Sequence, residues 1–370
     1  MNFNNTKRFS EEREIIDEGV KRLNDFKIRI FEALINFLGN SIHPSVMEAI
    51  FRLLDDRYTE VLTAYWIVKE KFKYRTRDSR DPYITHIDWV INNYITYFYK
   101  FEKTLEELDH TNENDIKKAI QLIKREINII GTLIDHDSIE DTDITREWLK
   151  QRFTNNRLIP YATELLSKQP FYIFIDEDED QDIIDFKTVI ESWILNSNFT
   201  ISDRINNKLR NNSNDNHFIQ ITTGENYELS PIEIEAIQIY IRLKSKYKKI
   251  RNETFSKNFS SIKSLKEYAR KIWFNSSSDF VSENDLNSLI YIVIVAKLCD
   301  RFNNLDDILI AWSSDPERIE SKLVETEKYL CELAKEFDPL IYAIMVKKIT
   351  EIRREIQRMK TIEQVKTIVW

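Results

Sequence analysis

The chain has 370 residues, of which 42% are apolar, 12% aromatic and 31% charged, with a formal net charge of −8. That balance excludes a disordered chain, and it argues against a nucleic-acid partner, which needs a basic excess. With only 4 Gly and 7 Pro there is too little turn chemistry for a sheet protein, so an all-α fold of long helices is expected.

The first helix is predicted over 11–39, where Ile15, Ile16, Val20, Leu23, Phe26 and Ile30 recur at helical spacing after a Ser10 cap. A second follows Pro44, and a third runs to about Phe72. A polar, Arg-rich break, YRTRDSRDP at 74–82, separates these from helical patterning between Tyr83 and about Leu108. One helix is predicted over 114–140 and another over 145–168, ahead of Pro170. The texture then changes. FIDEDEDQDIID at 174–185 reads as a solvated acidic face, because an acidic loop would repel a phosphate ligand. NNKLRNNSNDNH at 206–217 reads as a flexible loop. Helical patterning returns near Pro231 and over 262–274.

Ser282 and Asp285 form a capping pair that opens a helix over 287–305, apolar on nearly every side until Lys297. Two amphipathic helices follow, over 316–336 and 338–358. The expected organisation is therefore N-terminal helices in 1–57, a core in 58–169 and 282–370, and an inserted, mostly helical lobe over 170–281. That lobe is open to a role in self-association or in binding a protein partner. Cys299 and Cys331 sit in apolar helical contexts and read as buried small hydrophobes. MNFNNTKRFSEERE lacks the apolar run of a signal peptide, and LIYIVIVA at 289–296 is too short to span a bilayer. A cytoplasmic protein with no membrane partner is expected.

The chemistry concentrates in GTLIDHDSIEDTDIT, residues 131–145. On a helix, Asp137, Glu140 and Asp141 share a face, and His136 and Glu140 stand one turn apart. Carboxylates crowded on a buried face repel one another and need a cation. A divalent metal is the compact solution, with His136 and Asp137 offering one nitrogen and one oxygen. Asp300, at the end of the most apolar helix, and His86, early in the helix after Pro82, complete a candidate set of two His and two Asp. Ligand type alone leaves Mn, Fe, Zn and Co open. His43 and His110 read as loop or helix-end residues, and His217 lies in the Asn-rich tract.

Three segments together, RDSRDPYITH (77–86), HDSIEDT (136–142) and KLCDRFNN (297–304), resemble the HD hydrolase domain of the RelA/SpoT alarmone proteins. The order of motifs is the same, and the likeness covers about 58–168 and 282–350. The resemblance implies an HD-domain helical bundle with His86, His136, Asp137 and Asp300 as ligands to one Mn²⁺. It implies that Glu140 and Asp141 handle the water and protonate the leaving oxygen. Arg77 would pack on a purine base and Asn304 contact the nucleotide; Ser79, Lys297 and Arg301 are further substrate-binding candidates, as is Arg80 in place of the cation missing at Asp78. The implied reaction is hydrolysis of guanosine 3′,5′-bispyrophosphate to GDP or GTP and pyrophosphate.

The sequence departs from the family pattern at Asp78, Arg80, Ile87 and Asp307, all on the substrate side of the motifs. Metal binding is thus more firmly implied than guanine specificity. An adenosine alarmone or another nucleotide as substrate, and a non-catalytic nucleotide sensor, stand as alternatives.

Overall fold

Long stretches of apolar residues at helical spacing, with few residues to break them, dictate what forms. In a computed structural model, residues 3–39, 42–73, 75, 77, 82–142, 144–168, 218–220, 226–228, 252–274, 282–313 and 315–369 are described. The fold is all-α. Helix α1 spans Phe3–Leu38 and α2 Pro44–Phe72; α3 spans Tyr83–Asn93 and continues into a π-helical turn, Tyr94–Phe98. Then come α4 (Phe101–Glu106), α5 (Glu113–Asp135), α6 (Ser138–Asp141), α7 (Arg146–Arg152) and α8 (Leu158–Leu166). A two-stranded antiparallel hairpin pairs β1 (Phe218–Gln220) with β2 (Asn226–Glu228). It was not expected from the sequence. The chain ends in α9 (Ile262–Phe274), α10 (Glu283–Ala311), α11 (Pro316–Glu325), a π turn at Thr326–Cys331, α12 (Glu332–Phe337) and α13 (Pro339–Val369). The acidic run, the Asn-rich tract and the helical pattern from Pro231 lie outside the described residues.

Two compact units divide the chain. The first holds Met1–His136, Arg146–Leu166 and Phe259–Trp370; the second holds Asp137–Thr145 and Ser167–Asn258. The expected lobe, 170–281, differs from this division at its far end, because α9 belongs to the first unit.

Four local outcomes differ from the sequence reading, each for a physical reason. The two helices expected between Pro44 and Phe72 are one, α2. No Gly or Pro interrupts it after Pro44, and the hydroxyls of Thr59 and Thr63 donate to carbonyls one turn back without breaking it. The helix expected from Tyr83 to Leu108 is interrupted at Tyr99, whose backbone is extended and whose amide donates to the Tyr94 carbonyl. There Phe26 meets Tyr94 and Tyr99 edge-on, with ring centroids at 6.3 and 5.2 Å. The helix expected over 145–168 is split into α7 and α8. The intervening Thr154, Asn155 and Asn156 donate hydrogen bonds to the Glu60 carboxylate of α2 instead of to a helical ladder. The helix expected over 114–140 stops at Asp135, for a reason that belongs to the site below.

The core of the first unit forms around α10. Ile292, Val293, Ile294, Val295 and Ala296 are five consecutive residues of α10, all buried. A helix with no polar side must be surrounded, and α3, α5, α8 and α9 cover it. Ser282 caps α10 by accepting from the Asp285 amide at 3.1 Å, as its spacing predicts. Both cysteines are buried, and burial pushes both thiol pKa values above the usual range. Among the described residues no helix is long and apolar enough to cross a membrane.

Candidate metal centre

Three ligand-type side chains meet within the first unit because α10 lies against both α3 and α5, and these lie against each other. His86 projects from α3, His136 stands directly after α5, and Asp300 sits in α10. One ligand atom from each lies within 4.8 Å of the other two, and all three residues are buried. His86 Nε2 is 3.1 Å from His136 Nε2 and 3.5 Å from Asp300 Oδ1; His136 Nε2 is 3.9 Å from the same oxygen. Atoms sharing an ion at about 2.1 Å stand roughly 3–3.5 Å apart. The observed separations thus fit a shared divalent cation after small side-chain adjustments, and two imidazole nitrogens with one carboxylate oxygen suit a first-row metal.

His136 also explains why α5 ends. Its Nδ1 lies 2.7 Å from the Leu133 carbonyl, which the helix would otherwise use one turn later. The side chain satisfies that carbonyl, and the backbone is free to leave the helix. With Nδ1–H donated to the carbonyl, the Nε2 lone pair points into the cluster. A metal-ligating histidine is usually oriented in this way.

His86 is held differently. Its Nδ1 lies 2.9 Å from Arg77 Nη1 and 2.8 Å from Asn303 Nδ2, both N–H donors. The ring proton therefore resides on Nε2 and is donated toward His136 Nε2. For Nε2 to ligate a metal, that proton must move to Nδ1, and Arg77 and Asn303 must then release this nitrogen. Arg77 also donates to Asp307 Oδ2 at 2.7 Å and to Asn304 Oδ1, while Asn304 Nδ2 donates to Asp300 Oδ1 at 2.6 Å. One guanidinium thus reaches His86 directly and Asp300 through Asn304. Lys297 Nζ stands 3.6 Å from Asp300 Oδ2 and lies over the Phe259 ring. Arg301 is turned to α11 and the π turn after it, pairing with Glu325 at 3.7 Å and donating to Thr326 at 3.3 Å.

The remaining sequence candidates belong to the second unit or lie outside the described residues. Asp137 follows His136 directly, occupies the N-cap position of α6 and belongs to the second unit. Asp137, Glu140 and Asp141 are half-buried, not fully buried as the helical reading required. The break after Asp135 takes them off α5 onto a separate turn, in which the Asp141 amide donates to the Asp137 carbonyl at 2.9 Å. Within the second unit the Glu140 carboxylate pairs with Lys168 Nζ at 2.7 Å. Ser79 and Arg80 lie outside the described residues. Sequence reasoning missed Lys168, since a cation 28 positions away leaves no spacing signal. It also missed Asn303, although that residue sits beside Asn304 in the same motif. His43 caps α2 by accepting from the Ser45 amide, in keeping with its helix-end reading. No protein-family model, no curated protein and no solved structure matches the chain.

Proposed function

We propose that the protein is a metal-dependent phosphohydrolase of the HD type acting on a small nucleotide in the cytoplasm, with the 3′-pyrophosphate of guanosine tetra- or pentaphosphate as its first substrate. The observation that carries this reading is the convergence of His86, His136 and Asp300, distant in sequence, with ligand atoms within 4.8 Å of one another in buried surroundings. His86, His136 and Asp300 would hold the ion, with Asp137 the fourth candidate by its place in the HDxxED motif. When bound, a divalent cation such as Mn²⁺ acidifies a ligated water and offsets phosphate charge. The chain's own residues do the rest. His136 keeps its Nε2 directed into the cluster through the Leu133 carbonyl. Asn304 orients the Asp300 carboxylate. Glu140 and Asp141, four and five residues after His136, serve as the pair that takes a proton from water and returns one to the leaving oxygen.

A second reading, an HD-type hydrolase of another nucleotide, is favoured by one contact. Arg77, which the resemblance places against a purine, is paired with Asp307 at 2.7 Å. The cation it offers a ligand is therefore already partly neutralised. The test is metal analysis of the purified protein together with Mn²⁺-supported turnover of a nucleotide panel. Pyrophosphate released from guanosine tetraphosphate supports the first reading, and turnover confined to other nucleotides supports the second. A protein that retains no metal and turns over nothing overturns both.

A further inference from the structure

Helix α3 has two working faces. Ile84 and Asp88 lie one turn apart and share a face, whereas His86, two residues from each, projects from the opposite side. The face carrying Asp88 is gripped by α2. Lys69 of α2 is fully buried, and its ammonium donates to the Ile84 carbonyl at 2.6 Å and to Asp88 Oδ2 at 2.8 Å. Tyr65, one turn earlier on α2, donates its hydroxyl to Asp88 Oδ1 at 2.7 Å. Helix α1 makes room for this arrangement at Gly19, where a Cβ would overlap Tyr65 Oη and stand 2.9 Å from Asp88 Oδ1.

A buried ammonium is costly, and burial lowers the Lys69 pKa. An apolar pair of similar bulk would fill the same space at least as stably. What an apolar pair cannot supply is direction. Beyond what interdigitated packing provides, hydrogen bonds to one carbonyl and both oxygens of one carboxylate fix α3 in roll and in axial position. The opposite face of that helix presents His86 Nε2 to His136 and Asp300. We infer that Lys69, locked to Asp88 and Tyr65, is a positioning residue that sets the rotation of α3 and thereby aims His86 into the metal cluster. This rests on the metal reading above.

The test uses the full chain and Co²⁺ as the probe, with two readouts, binding affinity and the visible spectrum of the bound ion. Replacing Lys69 alone would strand Asp88, so the informative variant is Lys69→Met combined with Asp88→Leu, which removes both charges and keeps the bulk. The expected result is cooperative thermal unfolding, at a midpoint lowered by the Tyr65 hydroxyl that loses its acceptor, with Co²⁺ binding weaker by roughly tenfold or more and a shifted Co²⁺ band. Tyr65→Phe, a milder change that removes one hydrogen bond, is expected to weaken Co²⁺ binding by a few-fold, and it decides the matter should the double variant fail to fold. Wild-type affinity and spectrum in either folded variant overturn the positioning role. Failure of the wild-type protein itself to bind Co²⁺ is a different result: it removes the metal reading and the inference with it.

Discussion

Asp300 and Glu140 are both acids of the resembled motifs, and the proposed function gives them different tasks. Asp300 keeps only 9% of its surface exposed and faces two imidazoles, so on the proposed reading its removal takes away a ligand and leaves the histidines a weaker site. Asp300→Ala is expected to lose metal and turnover together, as read by metal content and product release. Glu140 pairs with Lys168 at 2.7 Å within the second unit. Glu140→Ala is expected to keep metal while losing roughly 10²–10⁴-fold in turnover, the usual worth of a positioned acid or base. Loss of metal from Glu140→Ala would refute that division of labour. The acid types were legible in the HDxxED spacing. The cation beside Glu140 was not, because contacts made by tertiary folding leave no periodic trace.

Glu126 gives a second prediction at the same scale. It is 2% exposed on α5 and accepts from the Tyr94 hydroxyl. Burial outweighs the Arg125 guanidinium at 3.5 Å and pushes its pKa up to about 8. Below the ordinary carboxyl pKa of 4.5 both folded and unfolded chains hold the proton, and Glu126 carries no penalty. Between 4.5 and about 8 the folded chain holds a proton that the unfolded chain has released, so stability falls as pH rises through this window. Glu126→Gln lacks that slope. Its unfolding free energy should gain on wild type by an amount on the order of a few kcal/mol as pH rises across the window, measured by denaturant titration at several pH values.

At the scale of the elements, the close approach of α5 to α8 depends on Gly131. A Cβ there would overlap the Ile159 side chain and stand 3.3 Å from Val61 Cγ2, so α5 is wedged between α8 and α2. Gly131→Ala is expected to destabilise the protein by about 1–3 kcal/mol through overpacking. Ile159→Val, which removes the terminal methyl, should recover part of that loss in the double variant. Equal and additive losses in chemical denaturation would show that the wedge is not what Gly131 provides. The sequence displayed α5 and α10 clearly, through long apolar periodicity and the Ser282 cap. It concealed the division of α7 from α8, because the Glu60 carboxylate that holds the intervening residues lies some ninety positions away.

For the whole molecule, the cluster ties together segments near residues 86, 136 and 300 of the first unit. A ligand that binds only the folded state stabilises it by mass action, about 2.7 kcal/mol at a hundred times its dissociation constant. Mn²⁺ is therefore expected to raise the thermal midpoint of the intact chain by several degrees, chelation to reverse the rise, and Asp300→Ala to abolish it. An unchanged midpoint at saturating Mn²⁺ would contradict a shared ion. The all-α class was readable from composition alone. The meeting of three distant helices was not, since no local pattern records which faces turn toward each other; ligand-type residues in apolar helices suggested the set, and the resemblance implied the same four residues.

The concealment of Cys299 and Cys331 has a practical consequence. Both sulfurs lie in the interior with their thiolate forms disfavoured, Cys331 being pushed up to about 12. Maleimides and similar electrophiles should therefore leave the native chain almost unmodified near neutral pH. A single cysteine engineered onto an outer helical surface would then react alone, and fluorophores or spin probes could be installed at chosen places without first deleting the natural pair.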